Sequence, residues 1–127
     1  MFSANDIIEM QYSCGGCFSG YNKIEIKANE DNASIMSFPS IRNKKNGITE
    51  SGYILPIKEW KKYSNKINKI TKKWAAKYVN NNIMDGYQWS LSFLFRNGEK
   101  KDYYGSNSFP DNWNDFKKIL TKIEQRL

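Results

Sequence analysis

The chain has 127 residues, 39 % hydrophobic and 15 % aromatic, with a net charge of +7. That is enough for one folded domain over residues 1–127 with its own core, and it excludes a disordered polyelectrolyte. The complete lack of His excludes Ser-His-Asp and Cys-His catalysis and most zinc chemistry.

The positive charge is almost all lysine, with Arg only at positions 42, 96 and 126. Lysine-rich, asparagine-rich composition also follows from AT-rich coding, as in many low-GC bacteria. The N-terminal residues MFSANDIIEM lack the basic region and apolar run of a signal peptide, and no stretch nears a membrane-spanning length. The expectation is a cytoplasmic bacterial protein that does not contact a membrane.

Residues 6–13 alternate as a strand, with Ile8, Met10 and Tyr12 on one face. Cys14-Gly-Gly-Cys17 begins a glycine-rich turn, and residues 21–28 alternate again, predicting a hairpin with a wide tip. Residues 29–32 form a polar turn. Residues 33–38 are a third strand, stopped by Pro39. Residues 40–52 show little pattern, and residues 53–55 fit a short strand.

Residues 56–79 carry the clearest pattern in the chain. Ile57, Trp60, Tyr63, Ile67, Ile70, Trp74 and Tyr78 recur at steps of three and four. At about 100° per residue they occupy an arc of roughly 140°, and the lysines fall opposite. This predicts one long helix starting at Pro56 and ending before Asn80. Residues 87–96 alternate strictly, with Trp89, Leu91 and Phe93 on one face and Gln88, Ser90 and Ser92 on the other. Asn97-Gly98 predicts a type I′ hairpin turn into a partner strand over 99–104. Ser108-Phe-Pro-Asp111 has capping-box form, and a C-terminal amphipathic helix follows.

The order β-β-β-α-β-β-α predicts an α+β domain: an antiparallel sheet of about five strands, covered on one face by the long helix and the C-terminal helix. Trp89-x-Leu91, Asn97-Gly98, Gly105-x-Asn107-x-x-Pro110 and Trp113-x-x-Phe116, with Gly15-Gly16 near the N-terminus, together resemble a group of small bacterial proteins. That resemblance implies a small α+β domain and carries no activity.

No carboxylate pair, phosphate-binding loop or metal-ligand spacing stands out. The sequence therefore points to a non-enzymatic binding module that needs no cofactor and contacts a protein partner, an acidic one fitting the charge. Its candidate contact residues are Lys58, Lys62, Lys66, Lys69, Lys73 and Lys77 on the helix, and Gln88, Ser90 and Ser92 on the wet sheet face. Two alternatives stand beside it. Nucleic acid could bind the lysine-rich helix over 57–79, and Cys14 with Cys17 could form a thiol-disulfide or intermolecular metal site.

Overall fold

Strict alternation over Tyr87–Phe95 buries Trp89, Leu91, Phe93 and Phe95 and leaves the residues between them on the other face. The computed structural model, which describes residues 4–16, 20–40, 47, 50–80 and 86–126, places this strand near the middle of an α+β domain. Among the described residues, four strands precede the first described helix: β1 (Ile7–Gly16), β2 (Gly20–Ala28), β3 (Asn32–Phe38) and β4 (Ser51–Pro56). Helix α1 (Ile57–Thr71) follows, then β5 (Lys77–Val79), β6 (Tyr87–Phe95), β7 (Lys100–Ser106) and helix α2 (Trp113–Glu124).

The sheet has seven strands in the order β4-β3-β2-β1-β6-β7-β5. It is mixed, since β5 runs parallel to β7 while every other pair is antiparallel. This corrects the expected antiparallel sheet of about five strands and the order β-β-β-α-β-β-α. The α+β class holds.

The two added strands have physical causes. Strand β4 is an edge strand that pairs only with β3, and it contains Gly52 and Pro56, which hide its pattern. A side chain at Gly52 would run into Met36 and the Ile35 carbonyl, so close packing favours glycine there. Strand β5 occupies the end of the segment expected to be helical. Helix α1 stops at Thr71, and a turn closes where the Trp74 N–H donates to the Thr71 carbonyl at 3.0 Å. The chain then joins β7, with Tyr104 N–H donating to the Ala76 carbonyl and Asn80 N–H to the Ser106 carbonyl, both at 2.9 Å. Arriving from a helix and not from a hairpin, β5 is free to enter parallel.

Both helices cover the same sheet face. On α1 the buried residues are Trp60, Ser64, Ile67 and Thr71, and on α2 Phe116, Ile119, Leu120 and Ile123. Against them lie Met10, Tyr12, Ile26, Ile35, Leu55, Trp89 and Leu91, all at most 2 % exposed. Each fully buried side chain of this size contributes about 1.5–3 kcal/mol. Asn112 Nδ2 donates to the Ile70 carbonyl at one end, and Arg126 meets Glu59 at the other, so the helices run antiparallel.

At the start of β1 the pairing with β6 slips between Ile7 and Glu9. This bulge turns Ile7 inward in place of the expected Ile8, and Ile7 and Met10 are both fully buried. It also frees the Ile7 backbone, whose N–H donates to Ser64 Oγ at 3.1 Å and whose carbonyl accepts from Trp60 Nε1 at 2.8 Å. The long helix is thus pinned to the sheet by two buried hydrogen bonds beside its apolar stripe.

Two turn expectations also change. At Asn97-Gly98 only Gly98 has positive φ, at 91°, whereas a type I′ turn needs it at both residues. The loop is the longer kind, closed by Gly98 N–H to the Phe95 carbonyl. The capping box is absent: α2 begins after Asn112 without a side-chain cap. The Ser108 carbonyl accepts the Trp89 indole N–H at 3.1 Å instead, and Asn112 is turned toward α1.

Candidate functional site

Lys58, Lys62, Lys66 and Lys69 lie together on the solvent side of α1, all exposed. Lys73 is exposed in the turn after the helix. Lys77 is not on the helix. It sits on edge strand β5, and because Tyr78 faces the core, Lys77 points to the opposite side of the sheet. The sequence-derived lysine face is therefore broken after Lys73.

The helical layer gains its other wall from α2. Segments 57–73 and 113–126 contain Lys58, Lys61, Lys62, Lys66, Lys69, Lys72 and Lys73, then Lys117, Lys118, Lys122 and Arg126, against Glu59, Asp115 and Glu124. Eleven cations and three anions there exceed the chain's whole net charge of +7, so the remainder is close to neutral. Periodicity is the cause: each helix turns its apolar stripe to the sheet and its lysines outward.

Between the helices runs a groove of about 360 Å³ lined by Glu59, Lys62, Tyr63 and Lys66 of α1 and by Lys122 and Arg126. The α1 residues are spaced i, i+3, i+4 and i+7, one stripe of the helix; Lys122 lies in the last turn of α2, and Arg126 just beyond its end. Tyr63 is half-buried on the groove floor. Arg126 closes one end, with Nη1 3.1 Å from Glu59 Oε2 and its guanidinium 4.9 Å from the Tyr53 ring centre. The Tyr53 hydroxyl donates to the Ile123 carbonyl at 2.6 Å. Burial pushes its phenol pKa up, and nearby Arg126 opposes that. Among the described residues no ion pair is formed by Lys62, Lys66 or Lys122.

The other sheet face carries Gln88, Ser90 and Ser92, partly exposed as expected, beside Gln11 and Ser13 of β1. Two of its lysines are answered within the chain. Glu25 lies 3.5 Å from Lys23 and 3.9 Å from Lys27 and accepts a hydrogen bond from Gln11. A shallow recess of about 280 Å³ runs past Glu9, Gln11, Ser92, Leu94, Lys100 and Asp102.

Cys14 is a free, half-buried thiol on the core-facing side of β1, not at an exposed tip. It sits with the hydroxyls of Tyr12 and Tyr87, which are 3.2 Å apart. Burial raises both phenol pKa values first, and the mutual hydrogen bonds and Cys14 add to the rise at Tyr12; Tyr87 is pushed up to about 12. Cys17 lies outside the described residues. Among the described residues no three His, Cys, Asp or Glu side chains group as metal ligands.

No family model, no curated protein and no solved structure matches this chain. The reading of the site rests on its geometry. Tyr63, Glu59, Lys122 and Arg126 are the residues that sequence inspection missed. The four-residue spacing of Lys122 and Arg126 at the C-terminal end of α2 was the available signal, but the pairing of the two helices was not. No described helix is long and apolar enough to cross a membrane.

Proposed function

We propose that this protein is a non-enzymatic binding module that engages an acidic surface of a protein partner through its helical layer. The observation carrying this reading is the contrast between the two faces. Glu25 answers two lysines on the open sheet face, while α1 and α2 concentrate lysines with few acids among them. Like charges at i, i+4 on a helix destabilise it by a few tenths of a kcal/mol per pair. Lys58–Lys62 and Lys62–Lys66 are such pairs, and an acidic partner relieves both. The same charge would also attract nucleic acid. That alternative is less well supported, because single-strand readers line the basic track with stacking aromatics. Trp60 is buried under α1 and Trp74 is packed among core rings.

The test is capture on immobilised protein from nuclease-treated extract of the source cell, beside a variant carrying Lys58→Glu, Lys62→Glu, Lys66→Glu and Lys69→Glu. The expected result is an acidic protein held by the native chain, released by salt and not held by the variant. Equal retention by both chains, or retention of nucleic acid alone from untreated extract, overturns the reading.

A further inference from the structure

The helical layer is broad, but its geometry is uneven. Between α1 and α2, cations face one another across a depression. Lys62 and Lys66 form one wall, one helical turn apart, and Lys122 stands on the other. Arg126 belongs to the same groove but is already engaged by Glu59 and by the Tyr53 ring. The groove therefore has three cations with no ion pair among the described residues, and one end where Glu59 and Arg126 offset each other. Its floor is the half-buried ring of Tyr63.

Resting on the reading above, we infer that the α1–α2 groove is the docking site for an acidic peptide segment of the partner, with its carboxylates on Lys62, Lys66 and Lys122. An extended segment sends alternate side chains to opposite sides, so neighbouring carboxylates reach opposite walls. A guanidinium fork pairs bidentately with carboxylate or phosphate, whereas ammonium groups on flexible stems act as point charges and accept anions at varied spacing. The one guanidinium in the groove is held by Glu59 and is not free to supply that fork. A nucleic-acid strand also needs a succession of stacking rings, and the floor offers Tyr63 alone. Tyr63 gives an apolar or aromatic side chain of the peptide a surface to rest on. The Glu59–Arg126 pair leaves its end of the groove without net charge, so the segment's carboxylates gather at Lys62, Lys66 and Lys122.

The test uses fluorescein-labelled decapeptides, one of glutamate around a central leucine and one with glutamine in place of glutamate, with a single-stranded oligonucleotide as the third probe. Anisotropy is read at 20 mM and 150 mM salt on the full chain. One variant carries Lys62→Gln, Lys66→Gln and Lys122→Gln. A control of equal charge carries Lys72→Gln, Lys117→Gln and Lys118→Gln, on the same layer but outside the groove. Circular dichroism confirms that both fold. The expected result is binding of the glutamate peptide only, weakened at least tenfold by the groove variant and less than threefold by the control. Equal weakening by both overturns the groove while leaving helical-layer binding standing. Failure of the glutamate peptide to bind at 20 mM salt, or tighter binding of the oligonucleotide, overturns the groove and the underlying reading together.

Discussion

Tyr12 and Tyr87 meet at 3.2 Å beneath the start of α2, and burial holds both phenols protonated past their ordinary range. An unfolded tyrosine ionises near pH 10. Above about pH 10 the unfolded chain loses protons that the folded chain keeps, so stability falls with rising pH. Below pH 10 both states are protonated and the contribution is complete. It is lost as pH rises toward and through about 12, where Tyr87 titrates. Urea unfolding should therefore show similar midpoints at pH 8 and 9 and a clear drop by pH 11. A Tyr12→Phe, Tyr87→Phe chain should drop less, because its phenols are gone; an equal drop would place the lost protons elsewhere. The inward direction of Tyr12 was legible from alternation over residues 6–13. Its partner Tyr87 was legible as the start of a strand. Their meeting was not, since residues 75 positions apart in sequence meet only through the β1–β6 pairing.

At the scale of elements, Trp74 is where α1, α2 and the sheet converge. Its ring centre lies 5.5–5.8 Å from those of Trp89, Tyr103, Trp113 and Phe116. Its indole N–H donates to Asn112 Oδ1 at 2.6 Å, and Asn112 in turn donates to the Ile70 carbonyl at 2.8 Å. Trp74→Ala should cost about 3–5 kcal/mol in urea unfolding; a cost under about 1 kcal/mol would show that the ring lies outside the core. The sequence turned Trp74 and Tyr78 toward the core, against which both pack partly buried, while misplacing them on a helix. Both conformations turn them toward the same packed layer, and Ala75 and Ala76 favour helix locally. The backbone pairing of Lys77–Val79 with β7 decides the matter, and that pairing is non-local. The strand expected over 53–55 is the middle of β4; the same limit hid the groove, whose two walls come from helices on either side of three strands.

For the molecule as a whole, the charge on the helical layer sets how it responds to salt. The Debye length falls from roughly 20 Å near 20 mM salt to under 5 Å at 500 mM, so repulsion among exposed lysines is screened. Thermal unfolding should therefore shift upward between these conditions, and the shift should shrink in a Lys62→Gln, Lys66→Gln chain. A midpoint that falls with salt would show attractive pairs outweighing repulsion across the surface. The lysine face was legible as a stripe, and its extent was not, because Lys77 leaves it and Lys122 joins it only through the packing of α2.

The arrangement of strands also governs the order in which the chain can become protected during synthesis. Strands β1 to β4 emerge first as a four-stranded meander, with Met10, Tyr12, Ile26, Ile35 and Leu55 all on one bare side. Helix α1 shields part of it, but Tyr12 waits for Phe116, and β1 stays unpaired along one edge until β6 has been made. A nascent chain that has reached only residue 86 therefore presents both an apolar surface and an open strand edge, the two features that draw chaperones and invite aggregation. The central position of β1, made early and completed late, makes the second half of the chain the guardian of the first.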